Sequence, residues 1–239
     1  MQRVIRNLRA NDVPGALGEA AESALSVHYR LWAKPGHLLG IASIQESFER
    51  LARNPSILQD IEEILEWARA ETRIGGILPE LQSLFPFELH ANYGSTDINA
   101  ILNGATLDSY GQKGVGILHF KHLKAYALLI TYQKTEHEFS PSTMYVDYPI
   151  SRQLLHWESQ SNTNQESETG QNLIRHLERG YQVLIFARDV KKRHGITVPF
   201  IFLGPAELVS YESECPIRIV WRLRYSMPAV MFEENRRGG

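Results

Sequence analysis

The sequence predicts an α+β protein in which a helical N-terminal part precedes a mostly antiparallel, curved β-sheet or partial barrel. Up to about residue 85, apolar residues recur at the spacing of amphipathic helices. From about residue 87, short β-branched and aromatic runs replace that pattern, separated by loops rich in Gly, Pro, Ser and Asn. These runs outnumber the helices and are unevenly spaced, which favours an antiparallel sheet over regular β-α-β units.

The helical part, predicted over residues 1–85, contains two clear helix starts. Ser43 followed by Glu46 has the spacing of a capping box, and Asn54 with Pro55 ends one helix and begins the next. We expect this part to support or connect other elements, and we assign it no chemistry. The helix after Pro55 is predicted to bury the apolar residues that it carries at helical spacing, which are Ile57, Ile61, Ile64, Leu65 and Ala68.

The β-rich part, predicted over residues 87–230, contains six strand-like runs: residues 115–120, 126–132, 154–160, 182–188, 198–204 and 217–225. Two helices interrupt them. One covers about residues 95–103 and opens at Ser95, and the other covers about residues 170–179 and ends at Gly180. Residues 231–239 are rich in charge and glycine and are predicted to form a polar tail.

Composition restricts the class of protein. The 239 residues carry a formal net charge of -2, which argues against nucleic-acid affinity over the whole surface but allows a local basic face. The single cysteine, Cys215, excludes an intramolecular disulfide and favours a reducing, cytoplasmic location. No run of about 18 apolar residues occurs, so we expect no membrane partner.

Motifs for catalysis are missing from the sequence. It has no Walker A motif, no G-x-S-x-G, no H-E-x-x-H and no paired C-x-x-C. The strongest enzymatic candidate is Asp147 followed by Glu158-x-Gln160, because a metal-dependent nuclease holds Mg²⁺ with two carboxylates and has a lysine where Gln160 stands. We therefore predict a binding module with no catalytic residue, no metal and no cofactor, and keep a metal-dependent nuclease as an alternative.

Residues 139–164 concentrate side chains suited to a planar, hydrogen-bonding ligand. Aromatic rings stack on a base, a carboxylate accepts from its exocyclic amine, and amide or imidazole groups bind its remaining edge. Alternation along the strand 154–160 places Trp157 on one face and His156 on the other. The alternative interpretation is an aromatic core with a polar loop. The candidate base-binding residues are Tyr145, Asp147, Tyr148, His156, Trp157, Ser159 and Gln160.

The last predicted strand carries arginines on one face and apolar residues on the other. From Arg218 to Arg224 the stripe spans about 20 Å at a rise of about 3.3 Å per residue, a geometry that suits phosphates along a DNA strand. A basic hairpin turn that includes His194, predicted after strand 182–188, would extend this footprint. The alternative is a solvated face on which glutamates such as Glu212 or Glu214 neutralise the arginines. The candidate backbone-binding residues are Arg188, Lys191, Lys192, Arg193, Arg218, Arg222 and Arg224.

Five stretches together resemble a bacterial domain family of unknown function that follows a phospholipase D-like nuclease and a superfamily 2 helicase in long proteins. They occur in order over about residues 55–230: FELHANYGSTDINAIL, FSPSTMYVDYPIS, LLHWESQSNTN, TGQNLIRHLERGYQVLIFAR and FLGPAELVSYESECPIRIVWRL. The family's Tyr-x-Asp-Tyr, His-Trp-x-Ser-Gln and Thr-Gly-Gln steps match residues 145–148, 156–160 and 169–171. Its Leu-His-x-Arg-Tyr step matches residues 89–93, with Asn92 in place of the arginine.

The resemblance implies a function in DNA recognition. Proteins of this architecture include ATP-dependent type IV restriction enzymes that cut DNA carrying 5-methylcytosine or 5-hydroxymethylcytosine. In them this domain is the candidate target-recognition part, while upstream nuclease and helicase domains cut DNA and hydrolyse ATP. The resemblance adds His90, Tyr93 and Gln171 to the candidate base-binding residues.

We therefore predict that residues 87–230 bind duplex DNA with modified cytosine, with base extrusion as one route and helicase or nuclease domains of the same or a partner chain as partners. An extruded cytosine would stack on Tyr145, Tyr148 or Trp157 and donate its N4 amine to Asp147. Three alternatives stay open: a reader of a phosphorothioate backbone, the metal-dependent nuclease, and a protein–protein coupling module. The coupling module would expose an apolar patch on the helical part.

Overall fold

The structure, a computed structural model, divides into two compact units. One unit comprises Met1–Arg73 and Thr96–Lys113, and the other comprises Ile74–Ser95 and Gly114–Gly239. The helix after Ser95 thus groups with the helical unit, whereas the sequence-based division places it in the β-rich part. The structure describes residues 2–18, 27–28, 31–32, 36–71, 87–103, 116–133, 147–161 and 163–236.

The described helices of the first unit are α1 (Gln2–Arg9), α2 (Val13–Leu17), α3 (Gly36–Leu39), α4 (Ile44–Ala52), α5 (Pro55–Glu71) and α6 (Ser95–Asn103), of which α6 takes its first residue from the second unit. The hydroxyl of Ser43 accepts the N–H of Glu46 at 3.1 Å, and the Glu46 carboxylate accepts the N–H of Ala42 at 2.9 Å. The capping signal at Ser43 is therefore confirmed, with the reciprocal bond one residue earlier than in the standard box.

The core of the first unit lies between α1, α4 and α5, and it corrects the predicted face of α5. Leu58 and Glu62 are buried, whereas Ile57 and Ile64 are exposed, so the predicted stripe is wrong at these two positions. Arg6 and Arg9 of α1 form ion pairs with Glu62 at 2.9 Å and 3.0 Å. These pairs keep the face of α5 that carries Glu62 turned toward α1. The apolar residues of this core are Val4, Ile5, Leu8, Ala16, Val27, Phe48, Leu51 and Leu58, with Ile61 and Leu65 packed against it. The side chain of Ala68 lies outside the described residues.

The second unit contains a mixed sheet that is not closed. Its strands are β1 (Asn92–Tyr93), β2 (Ile117–Phe120), β3 (Ala125–Gln133), β4 (Tyr148–Pro149), β5 (Leu154–Glu158), β6 (Gln182–Val190), β9 (Phe200–Glu212) and β10 (Arg218–Leu223), and a separate hairpin pairs β7 (Lys192–Arg193) with β8 (Ile196–Thr197). The order is β2-β3-β6-β9-β10-β5-β4, with β1 also paired to β9. Among the described pairs only β3 with β6 is parallel. The predicted α+β class and all six predicted strands are confirmed.

The sheet curves strongly, because residues from distant strands approach each other. A Cβ placed on Gly116, just before β2, would lie 3.1 Å from Nε2 of Gln160, just after β5. In a flat sheet the five strand steps between β2 and β5 would separate them by about 24 Å, at about 4.8 Å per step. The concave face therefore encloses the main apolar core, to which β3, β5, β6, β9 and β10 all contribute.

Three helices complete the second unit: α7 (Glu168–Ile174), α8 (His176–Arg179) and α9 (Ala229–Asn235). The single helix predicted over about residues 170–179 is two helices, α7, which Ser167 caps, and α8, which ends as predicted at Gly180, in the left-handed region with φ 71°. A polar tail is predicted from residue 231, but α9 occupies these positions: Met231 is buried in the core and the Asn235 side chain accepts a hydrogen bond from Gln133 at 3.1 Å. Nowhere in the described ranges does a helix have the length and apolar content to cross a membrane.

Candidate nucleic-acid interface

Strand alternation and cross-strand register assemble one solvent-facing surface on β10, β5 and β4. In β10, Ile219, Trp221 and Leu223 are buried while Arg218 and Arg222 are exposed. Residues directly opposite in an antiparallel pair share a face. The pairs are Arg218 with Glu158, Val220 with His156, and Arg222 with Leu154, and β4 adds Tyr148 opposite His156. We call this surface the arginine face; it comprises Tyr148, Leu154, His156, Glu158, Arg218, Val220 and Arg222.

An aromatic pair lies at the centre of the arginine face. The rings of Tyr148 and His156 stack with centroids 4.8 Å apart and an interplanar angle of 15°. Both residues are half-buried, so part of each ring is accessible. Aromatic side chains at this position are able to contact a base or a sugar, because every base has a π-face.

The three predicted arginines differ in their surroundings. Arg218 lies 3.3 Å from the Glu158 carboxylate and 3.9 Å from that of Glu212, so for this arginine the structure supports the neutralised, solvated face. Arg222 and Arg224 are exposed, and among the described residues no carboxylate lies within ion-pair distance of either, although Glu207 of β9 lies opposite Arg222 on the same face. Arg222 and Arg224 lie about 7 Å apart along the strand direction. They are the better candidates for phosphate contacts.

The other half of the predicted base-binding cluster is buried on the opposite side of the sheet. Asp147, Trp157 and Ser159 are buried. Asp147 accepts the Glu158 N–H at 3.0 Å, and the Ser159 hydroxyl accepts the Ile217 N–H at 2.9 Å. The cluster therefore does not form one solvent-open cavity, because successive residues of a strand point to opposite faces. Tyr145 lies outside the described residues.

Two buried donors accompany Asp147 on the concave side. The hydroxyl of Tyr132 and Nε1 of Trp221 are buried, and neither has a hydrogen-bond partner in the part of the chain that the structure describes. Burial, together with the negative charge of Asp147, raises the pKa of Tyr132. The Trp221 ring centroid lies 6.4 Å from that of Trp157. We call Tyr132, Asp147, Trp157 and Trp221 the inner cluster; sequence reasoning missed Tyr132 and the indole donor because both occur at ordinary core positions.

His90 and Arg152 lie near the end of β10. His90 has φ 63°, and its buried Nε2 has no hydrogen-bond partner among the described residues. The pKa of His90 is lowered, chiefly by burial and also by the charge of Arg152, while a hydrogen bond with the backbone of Ser226 opposes the shift. Arg152 is exposed and donates from Nε to the Met227 carbonyl at 3.0 Å. No sequence signal marks Arg152, which reaches this end of the sheet through the β4–β5 loop.

Two residues of the family's sequence steps have partners within the fold. The Tyr93 hydroxyl accepts the Glu88 N–H at 2.8 Å, and its ring meets an aromatic neighbour edge-on. The Gln171 amide donates to the Gln165 carbonyl at 2.8 Å and so anchors the loop before α7. A Cβ on Gly170 would lie 2.0 Å from a backbone oxygen of this loop, so only glycine permits the contact. These contacts favour structural roles for Tyr93 and Gln171.

The basic residues after β6 are only partly available. Arg188 donates to the Thr131 hydroxyl at 3.0 Å and the Val198 carbonyl at 2.8 Å, and its guanidinium lies 4.1 Å from the Phe200 ring centroid. These contacts hold the Arg188 side chain within the fold, which favours a structural role. Lys191 is half-buried.

The predicted hairpin turn is present between β7 and β8. His194 and Gly195 both have positive φ, 52° and 79°, as a type I′ turn requires. Arg193 forms an ion pair with Asp189, whereas Lys192 and His194 are exposed. Along β9 the hairpin lies beyond the end of β10, since nine residues, about 30 Å of extended chain, separate Ala206, opposite Leu223, from Thr197 at the end of β8. It therefore extends the same end of the sheet that carries Arg224.

The two carboxylates of the nuclease alternative do not converge. Asp147 is buried in the inner cluster, whereas Glu158 is on the arginine face beside Arg218. Within the described ranges, no group of three or more His, Cys, Asp or Glu side chains is placed to hold a metal ion. The two carboxylates that the nuclease alternative requires therefore lie on opposite sides of the sheet.

The fold and these two surfaces define an α+β domain with an exposed arginine-bearing sheet face and a buried aromatic–carboxylate cluster behind it. Residues 87–234 match the family described as Domain of unknown function (DUF3427), and the chain belongs to this family. No curated protein matches the chain. Four chains of solved structure match it. One of them is described as the 5-Hydroxymethylcytosine-Specific Restriction Enzyme AbaSI, at 15% sequence identity and a TM-score of 0.37, with 77% of this chain and 58% of that chain covered. The chain thus spans little more than half the length of that enzyme.

Proposed function

We propose that the second unit binds duplex DNA through the arginine face and acts as the target-recognition module for 5-methyl- or 5-hydroxymethylcytosine. One observation carries this proposal: the cross-strand register places the Tyr148–His156 stack and Arg222 on the same solvent-facing surface. Arg224 follows directly, and Arg152 lies near the same end of the sheet. Aromatic and guanidinium groups side by side are the chemistry that contacts bases and phosphates.

Affinity and specificity would come from different parts of the unit. Arg152, Arg222 and Arg224 would neutralise phosphates, which supplies affinity without sequence information. Base contacts would supply specificity, either from the stacked pair in a groove or by extrusion of the cytosine.

Extrusion would use the inner cluster. Asp147 would accept the N4 amine of the cytosine, while the unpartnered donors of Tyr132 and Trp221 would suit its O2 and N3 acceptors. The inner cluster is closed to solvent in this structure, so this route requires the unit to open. Cutting and ATP hydrolysis would belong to the nuclease and helicase domains that the family resemblance implies, and this chain would act as a binding module.

The test is a binding titration of the full chain against labelled duplexes of one sequence, which are unmodified, carry 5-methyl- or 5-hydroxymethylcytosine, or have a phosphorothioate backbone. We expect tighter binding to a modified duplex and no cleavage with Mg²⁺ present. The double variant Arg222→Gln/Arg224→Gln should weaken binding to every duplex and reduce the slope of log K against log salt by about 1.8, for two lost phosphate contacts. Arg175→Gln, an exposed arginine in the turn between α7 and α8, is the matched control and should change neither.

Each alternative has its own outcome in the same titration, and a protein–protein coupling module would bind none of the duplexes. Equal affinity for all duplexes would reduce the unit to a nonspecific DNA platform and contradict target recognition. Preference for a phosphorothioate duplex would assign the surface to a modified backbone. Mg²⁺-dependent cleavage would establish a nuclease. An unchanged salt slope in the double variant would show that DNA does not bind at the arginine face.

A further inference from the structure

Helix α5 exposes a ridge of large apolar side chains. Ile57 is 58% exposed, Ile64 62% and Trp67 67%. At about 100° per residue these positions fall within an arc of about 80° on the helix, so they form a ridge about 15 Å long that Asp60 interrupts between Ile57 and Ile64. Exposed apolar residues that occur singly are ordinary, but three large ones in a row mark an interaction surface.

The ridge is not needed for packing within the helical unit. Leu58 is buried on another side of α5, and Glu62 is held there by Arg6 and Arg9. These contacts orient the helix about its axis and leave the ridge on the surface. The apolar ridge is therefore a second face of α5, in addition to the face that builds the core.

Charge around the ridge restricts what can cover it. Asp60 and Glu63 lie beside Ile64 and Trp67, and the four side chains line a shallow recess. Over its length α5 has the sequence PSILQDIEEILEWARAE, in which acidic residues outnumber its single arginine. A second copy of α5 would bring these carboxylates together, and like charges at an interface are unfavourable. Lysine or arginine beside apolar side chains would instead complement the recess.

We propose that this ridge docks an amphipathic helical segment of a protein partner, with its apolar stripe flanked by basic residues. The indole of Trp67 is the main anchor, because large aromatic side chains often contribute most of the binding energy at protein interfaces. Asp60 and Glu63 select the charge of the partner. This docking surface is independent of the DNA-binding proposal, since no residue of the arginine face takes part in it.

The test uses the full chain and two synthetic 18-residue helical peptides with leucines at helix spacing, one flanked by lysines and one by glutamates. Binding is measured by calorimetry and by acrylamide quenching, which reports mainly on Trp67 because Trp157 and Trp221 are buried and Trp32 is half-buried in the helical core. We expect the lysine peptide to bind and protect Trp67, and the glutamate peptide to bind at least tenfold more weakly. Ile64→Ser and Trp67→Ala should each weaken binding of the lysine peptide at least tenfold. Leu38→Ser, at a residue 64% exposed on α3, is the matched control and should not.

Charge reversal provides the sharper test. Asp60→Lys/Glu63→Lys should reverse the preference and favour the glutamate peptide, while circular dichroism shows an unchanged fold. Equal binding of both peptides, or binding that the ridge variants leave unaltered, overturns the proposal. Self-association of the wild-type chain in sedimentation velocity that Trp67→Ala abolishes would also overturn it, because the ridge would then bind a second copy.

Discussion

Substitution of Asp147 by asparagine separates a structural role from a role in base recognition. In the wild type, Asp147 accepts the Glu158 N–H at 3.0 Å. Asparagine keeps the size of the side chain and an oxygen that can accept this hydrogen bond, but it removes the charge. Hydrogen bonds to charged groups contribute about 1.5–3 kcal/mol and neutral ones about 0.5–1.5 kcal/mol. The free energy of unfolding should therefore fall by about 1 kcal/mol, which lowers Tm by about 2–4 °C for a protein of this size.

The same substitution has a separate effect on binding if Asp147 accepts the N4 amine of an extruded cytosine. An amide presents a donor as well as an acceptor, so the contact is lost or reoriented. A specific base contact contributes about 1–3 kcal/mol of discrimination, so affinity for the modified duplex should fall about 5- to 150-fold. Binding to unmodified DNA through the arginine face should change little, and the preference for modified cytosine should disappear.

Fluorescence anisotropy on modified and unmodified duplexes, with thermal melts of the same samples, measures both effects. Arg222→Gln/Arg224→Gln is the reciprocal control, because it should weaken binding to both duplexes and leave Tm nearly unchanged. An Asp147→Asn variant that keeps its preference and shows only the Tm shift would refute the role of Asp147 in base recognition. Asp147 would then be a structural carboxylate that fixes β4 against β5.

Three further predictions concern the fold that supports the site. Gly170→Ala places a Cβ 2.0 Å from the Asn164 carbonyl oxygen, so the loop must move; we expect a loss of about 1–3 kcal/mol in urea denaturation, and an unchanged midpoint would contradict the close contact. Ser159→Ala leaves the buried Ile217 N–H without its 2.9 Å acceptor and should cost about 1–3 kcal/mol, whereas hydrogen exchange at that amide as slow as in the wild type would refute this. Burial lowers the pKa of His176, so the folded chain binds fewer protons than the unfolded chain below about pH 6.5, and the free energy of unfolding should fall as the pH drops through that value. His176→Gln should make this fall less steep, with His90 and His119, whose pKa values burial also lowers, contributing the rest; an equally steep fall in the variant would exclude a contribution from His176.

Local signals in the sequence were sufficient for the elements themselves. The alternation that predicts Trp221 inward and Arg222 outward is visible in one strand, and the structure follows it. Ser43 begins α4 and Gly180 ends α8 through bonds within a few residues of each cap. These features depend on neighbours in sequence, so no tertiary information is needed to predict them.

The face of α5 could not be predicted in this way. Ile57 and Ile64 form one apolar stripe, while Leu58 and Leu65 form another about a quarter-turn away. Periodicity does not decide between two such stripes. The ion pairs of Glu62 with Arg6 and Arg9 determine which stripe is buried. They join residues more than fifty positions apart, so the local sequence of α5 does not reveal them.

For the candidate site, the sequence alone determined which side chains alternate along each strand, and hence that Trp157 and His156 cannot share a face. Only the tertiary structure decided which faces of different strands coincide: the register of β10 on β5 brings Val220 opposite His156, and with it the arginines beside the Tyr148 ring. Register depends on pairing energies summed over whole strands and on the loops that connect them, and one residue of slip would reverse every assignment. For the same reason Arg152, far from β10 in sequence, could be placed near its end only by the folded chain.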